Sequence, residues 1–136
     1  AVRIQSKRET FYATLVGHSV PAFATAGGRA ALSLMTDDEV REVLGRSELI
    51  EYTAATRTDP EEILEQVRIA RTNGYAVIVD EYLRGEVAIG VGISRDGRPI
   101  GAIHVAGSLS EWSQDEFERQ AAPVAMEAAR DIMASL

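Results

Sequence analysis

VAIGVGISRDGRPIGAIHVAG, residues 87–107, decides the fold, because it reads as two strands joined by a tight turn. On the first run Val87, Ile89, Val91 and Ile93 alternate with Ala88, Gly90, Gly92 and Ser94. On the second, Ile103 and Val105 alternate with Ala102, His104 and Ala106. The turn sets which residues share a face. A two-residue Asp-Gly loop pairs 89 with 104 and mixes large with small on both faces. A three-residue loop, Arg95-Asp96-Gly97 with Gly97 left-handed, pairs 88 with 104 and 90 with 102. We expect the three-residue loop, because it sorts large residues onto one face and buries more apolar area.

The other face is then nearly all small: Ala88, Gly90, Gly92, Ala102, His104 and Ala106. Such a face either receives a closely packed helix or encloses a cavity. The alanine-rich C-terminal segment is the obvious helical partner. His104 needs a partner for each ring nitrogen, supplied from within the protein or by a ligand carboxylate or hydroxyl.

Helices flank this block. In ATAGGRAALSLM, residues 24–35, a glycine pair stands where a short helix begins. It makes a tight turn, or it leaves backbone N–H groups bare for an anion. Arg29, just after it, reads as a solvated side chain. Thr36-Asp37 caps DDEVREVLG, which Gly45 ends. Thr58 or Asp59 opens a clearer helix with Pro60 in its first turn, Ile63, Leu64, Val67 and Ala70 on its apolar stripe, and Gly74 as its stop. YAVIVDEYL, residues 75–83, reads as a strand, on which Asp80 and Glu81 point to opposite faces and form no carboxylate pair. Before the last helix, Ser113 and Glu116 make a capping box and Trp112 and Phe117 a hydrophobic staple, while Pro123 is expected to kink or break that helix. VRIQS (2–6) and FYATLV (11–16) read as a further hairpin. Helices before and after strands whose last members are antiparallel imply an α+β fold.

Composition narrows the function. The 136 residues make one domain, and a net charge of −7 suits it poorly to holding nucleic-acid phosphates by itself. The absence of cysteine excludes disulfides and thiolate chemistry. No apolar run approaches the ~20 residues of a membrane span, and no signal peptide is visible, so a cytoplasmic setting with no membrane partner is expected. The chain starts with Ala1 and goes straight into a strand-like run, which reads as a piece of a longer protein. His18 and His104 fit no metal-ligand spacing, and no G-x-S-x-G elbow or phosphate loop occurs. We therefore expect neither enzymatic activity nor a cofactor or metal.

The order of these segments resembles the effector-binding domain of IclR-type transcriptional regulators, from about Gly17 onward. Gly17, Pro21, Ala24, Gly28, Arg29 and Ala30 match one family element, and Thr53, Thr56, Asp59, Pro60 and Ile63 a second. Arg71, Gly74 and Tyr75, then Glu81 and Gly85, complete the pattern. The resemblance implies a GAF-like domain, a curved antiparallel sheet flanked by helices, that holds an effector and helps assemble a homodimer or tetramer. An N-terminal winged helix-turn-helix domain, outside this chain, would bind DNA. By the same resemblance, backbone amides of Ala26, Gly27 and Gly28 would bind an effector carboxylate. Ile78, Ala88, His104 and Ala106 stand at other effector-contacting positions, with Tyr12 and Val20 on the apolar wall. Ile78 replaces a usual Asp, and His104 and Ala106 replace two small hydroxyl residues, so the implied effector is a carboxylate with a larger apolar or aromatic body. Two other readings compete: a ligand-free oligomerisation module, and an enzyme acting on a small acid.

Overall fold

The computed structural model describes residues 19–136, so the hairpin expected in residues 2–16, Tyr12, Gly17 and His18 lie outside the described residues. A 3-10 turn (Ala22–Ala24) leads into helix α1 (Ala26–Leu32), followed by α2 (Asp37–Gly45) and α3 (Pro60–Asn73). Strands β1 (Ala76–Val79), β2 (Glu86–Arg95) and β3 (Arg98–Ser108) come next, and α4 (Gln114–Ala134) closes the chain order. Among the described residues the strands form one antiparallel sheet in the order β1-β2-β3, the α+β arrangement expected.

Local chemistry fixes the helix ends. Thr36 accepts the amide of Glu39 while Glu39 reaches back to the amide of Thr36, a complete capping box. Asp59 accepts the amide of Glu61 at 3.0 Å, and Gly74, at φ 84°, ends α3 in the left-handed conformation. Ser113 accepts the amide of Glu116, and Trp112 meets Phe117 edge-on at 5.6 Å, the expected staple. The break expected at Pro123 does not occur. Pro123 is exposed, so the helix bond it forgoes lies toward water, and α4 runs through it.

The hairpin corrects the expected turn. Asp96 (φ 52°) and Gly97 (φ 75°) are both left-handed and make a two-residue loop that pairs Arg95 with Arg98. A bulge between Ile93 and Ser94 then shifts the register, leaving Ile100 as the extra residue, so that Ala88 faces Ala106 and Gly90 faces His104. The turn takes the conformation that Asp-Gly favours, and the bulge restores the sorting of large and small residues that burial demands. The faces are therefore those expected, by a different device.

The partner of each face is also reversed. Val87, Ile89, Val91 and Ile93 pack on Phe117, Ala122, Ala125 and Ala129 of α4, so the alanine-rich helix takes the large face. The small face receives α1. A Cβ on Gly90 would lie 2.0 Å from the carbonyl oxygen of Ala26, and one on Gly92 would lie 2.9 Å from that of Ala30. Volumes complement one another: a small-residue helix accepts bulky strands, and small-residue strands accept a helix backbone. A second core, Phe23, Leu32, Val40, Leu44, Ile63, Leu64 and Val67, joins α1, α2 and α3. Asp37 at the start of α2 binds Arg68 and Arg71 of α3 at 2.9 and 2.8 Å, and Arg71 and Arg68 hold its carboxyl below the usual range.

Gly90→Ala is expected to lower the unfolding free energy by about 3 kcal/mol, because backbone rather than a mobile side chain blocks the added methyl. Gly101→Ala, where a Cβ meets nothing within 4 Å, is the control and should change stability by no more than about 0.5 kcal/mol. Urea denaturation of the two variants checks both values.

Candidate functional site

The glycine pair at the start of α1 does two different jobs. A Cβ on Gly28 would lie 2.4 Å from the Ala22 backbone, so Gly28 lets the 3-10 turn and α1 meet. Gly27 faces the sheet instead. Its amide donates to His104 Nδ1 at 3.4 Å, and a Cβ there would meet Ala102 and His104 at ordinary contact distances. Because Nδ1 accepts, a neutral ring carries its proton on Nε2. Ala26, Ile78 and Ala88 pack together, all but fully buried. His104, Ala106 and Ala102 lie exposed on β3, and Val20 is exposed as well. The expected residues thus divide into a buried set (Ala26, Ile78, Ala88) and a set at the surface (half-buried Gly27, exposed His104 and Ala106), with Gly28 turned away to the 3-10 turn.

The residue that the sequence placed in solvent is, with Glu81, the most buried charge among the described residues. Arg29 is 1% exposed, and so is Glu81. Its Nη1 donates to Glu81 Oε2 at 2.8 Å and its Nη2 to Oε1 at 3.0 Å, while Nη2 also donates to the carbonyl of Phe23 at 2.6 Å. Arg57 shares the same carboxylate, through its backbone amide (3.1 Å) and its Nη1 (2.8 Å). Thr56 Oγ1 donates to the carbonyl of Glu81, and Thr53 Oγ1 to that of Asp80. Strand β1 is shorter than the run 75–83 suggested, because Asp80 is left-handed (φ 59°) and turns the chain. Asp80 Oδ1 then accepts the amide of Gly85. Arg29, Thr53, Thr56, Glu81 and Gly85, which the sequence shows only as scattered matches, therefore form one network. It ties α1 to the segment before α3 and to the β1–β2 turn. Arg29 Nε is the one buried side-chain nitrogen or oxygen without a partner among the described residues.

A separate cleft of about 590 Å³ opens beside β1, bounded by α3, by residues 55–59 and by the first turns of α4. Sequence reasoning missed it, since its walls come from four segments. Tyr75 Oη donates to Glu118 Oε1 there at 2.7 Å, and this bond, with burial, pushes the phenol up to about 12. No described helix is long and apolar enough to cross a membrane.

An α+β domain, with an antiparallel sheet flanked by helices, is what this architecture defines. Residues 2–134 match the family described as bacterial transcriptional regulator IclR C-terminal. The chain belongs to the IclR family of transcriptional regulators and corresponds to their effector-binding domain. It is 32% identical over 118 residues to the Pca regulon regulatory protein of Pseudomonas putida, covering 86% of this chain and 40% of that protein. With the HTH-type transcriptional repressor AllR of Escherichia coli K12 it shares 30% identity over 122 residues, 89% of this chain and 45% of the relative. The chain thus spans less than half the length of these relatives. Among solved structures, Thermotoga maritima IclR superposes with a TM-score of 0.90 at 25% identity, over 98% of this chain and 54% of that one. The inducer-binding domain of a PobR double mutant from Acinetobacter, in complex with 3-hydroxybenzoic acid, superposes with a TM-score of 0.79 at 24% identity, over 86% of this chain and 69% of that one.

Glu81→Ala is expected to cost about 3–5 kcal/mol, because it strands a buried guanidinium. Arg57→Ala, at a half-exposed partner of the same carboxylate, should cost about 1 kcal/mol or less. Equal losses for the two variants, measured by denaturant titration, would contradict this assignment.

Proposed function

We propose that this domain senses an organic carboxylate with an aromatic or otherwise apolar body and relays its presence to a DNA-binding domain elsewhere in the full regulator. The observation that carries the reading is the bond from the Gly27 amide to His104 Nδ1 across the seam between α1 and β3. In it the imidazole lone pair occupies the place of a carboxylate oxygen, at a helix start whose dipole favours negative charge. An effector carboxylate would displace Nδ1 from Gly27, with Ala26 offering the neighbouring amide, since that of Gly28 is taken by the capping Thr25 hydroxyl. Its body would lie over Ala106, above the floor of Ala88 and Ile78, with Val20 and Tyr12 on the apolar wall. His104, released, would hydrogen-bond the carboxylate or a ring hydroxyl. The bound acid of the PobR domain has this chemistry. Binding without turnover, in a cytoplasmic homodimer or tetramer that reaches DNA only through its other domain, completes the proposal.

The close seating of α1 on Gly90 and Gly92 favours a second reading, an oligomerisation module whose small face is filled by protein. Ligand-dependent stabilisation separates the two, since only a ligand that binds the native state raises the midpoint with its concentration. In calorimetric titrations with 3-hydroxybenzoate, benzoate, glyoxylate and pyruvate, we expect saturable binding of the aromatic acids, weakened at least about tenfold by His104→Ala. Tight binding of glyoxylate or pyruvate that is unaffected by His104→Ala would overturn the reading.

A further inference from the structure

The cleft beside β1 has no part in the proposed effector site, yet it has the features of a docking groove. Among the described residues strand β1 pairs with β2 alone, on one side. The amide of Asp80 donates to the carbonyl of Glu86 at 2.9 Å, which fixes the hydrogen-bonding phase of this pair. In an antiparallel ladder that phase alternates, so Ala76 and Ile78 bond to β2 while the N–H and C=O groups of Val77 and Val79 turn to the opposite side. Among the described residues no helix or loop hydrogen-bonds to them. An unpaired edge of this kind is a template for another strand.

The surroundings define what that strand would be. Val77 and Val79 are half-buried and, with the exposed Ile69 of α3, supply an apolar surface. Around it stand Asp59 and Glu62 at the start of α3 and Glu118 on α4. Among the described residues the only Lys or Arg lining the cleft is Arg57, and it is already engaged by Glu81. Arg29, Arg57 and Glu81 together carry one positive charge, which the three remaining carboxylates outweigh, so the cleft is negative. A second copy of this chain would bring an identical acidic rim against the first, and the net charge of −7 adds to that repulsion.

We propose that the β1 edge is a protein-docking site that takes an extended, basic segment of a partner polypeptide as an additional antiparallel strand. In such a segment, residues opposite Val77 and Val79 share their face of the sheet and are apolar. The alternating residues project toward α3 and are Lys or Arg, facing Asp59 and Glu62. Main-chain bonds to Val77 and Val79 give affinity, and the acidic rim gives selectivity.

The test uses this chain, a fluorescent N-acetyl-KVKVKV-amide probe and its acidic counterpart EVEVEV. Anisotropy is expected to report saturable, salt-sensitive binding of KVKVKV and none of EVEVEV. Amide exchange at Val77 and Val79, fast in the free chain, slows when the basic peptide is bound. Val79→Pro removes an outward N–H at an edge position where proline is tolerated, and should abolish binding with the thermal midpoint retained. N-methylation of alternate peptide amides should abolish it without touching the domain, and Glu62→Lys should weaken it at least fivefold. Equal binding of the two peptides, no binding, or binding insensitive to N-methylation would overturn the proposal. So would amides at Val77 and Val79 already protected in a concentration-dependent dimer, which would assign the edge to a second copy.

Discussion

A guanidinium taken out of water is tolerable only when its charge and most of its hydrogen atoms are matched, and in this domain Arg29 is matched by Glu81. Geometry follows from that requirement. Arg29 stands in the middle of a seven-residue helix too short to be stable by itself, and Glu81 stands just past the end of a four-residue strand. Each element is marginal alone. The bidentate pair fixes α1 over the sheet, and the same carboxylate draws in the backbone and side chain of Arg57. Thr53 and Thr56 then bond the carbonyls of Asp80 and Glu81, one on each side of the Glu81 α-carbon. The cost of desolvation is visible in Arg29 Nε, which remains buried without a partner. Such a pair adds little net stability over an apolar replacement, but breaking it strands a buried charge, and here that penalty falls on any displacement of α1.

That seating depends on the second constraint, the bare backbone of Gly90 and Gly92. Helix α1 approaches so closely that its carbonyl oxygens occupy the space where two Cβ atoms would be. The charge pair and the glycine trough thus act on the same helix from different sides. The start of this helix carries the amide that meets His104, so a ligand acting on Gly27 would pull on the element that Arg29 anchors. The coupling is physical: any shift of α1 must move the guanidinium relative to Glu81, and Arg57 shares that carboxylate at the surface.

How much of this was legible in the sequence differs from element to element. Helix α3 was, because Asp59, Pro60, Gly74 and the Ile63–Ala70 stripe all report the same helix. The division of the hairpin into large and small faces was legible too, since alternation has a period of two and burial rewards it. The bulge at Ile100 was not, because one inserted residue changes the register without changing the alternation on either strand. Which helix covers which face was hidden for a related reason: alanine on α4 and glycine on β2 both advertise close packing, and only three-dimensional volume decides between them. The burial of Arg29 was illegible because its partner lies 52 residues away. The network residues did appear as a recurring pattern, but a pattern of Arg, two Thr and Glu does not state whether those residues hold a ligand or hold the fold. The Gly27–His104 contact lay between these cases, since the small face pointed to His104 while the amide it meets came from family resemblance.

The central claim is that the Glu81 carboxylate locks α1 onto the glycine trough. Hydrogen exchange by NMR in Glu81→Gln tests it most directly. The α1 amides of Arg29 and Ser33, bonded to the carbonyls of Thr25 and Arg29, are expected to lose at least about a hundredfold more protection than Ile89 and Val105 in the β2–β3 ladder. Uniform loss across helix and sheet, or protection of α1 equal to that of the unsubstituted chain, would contradict the account.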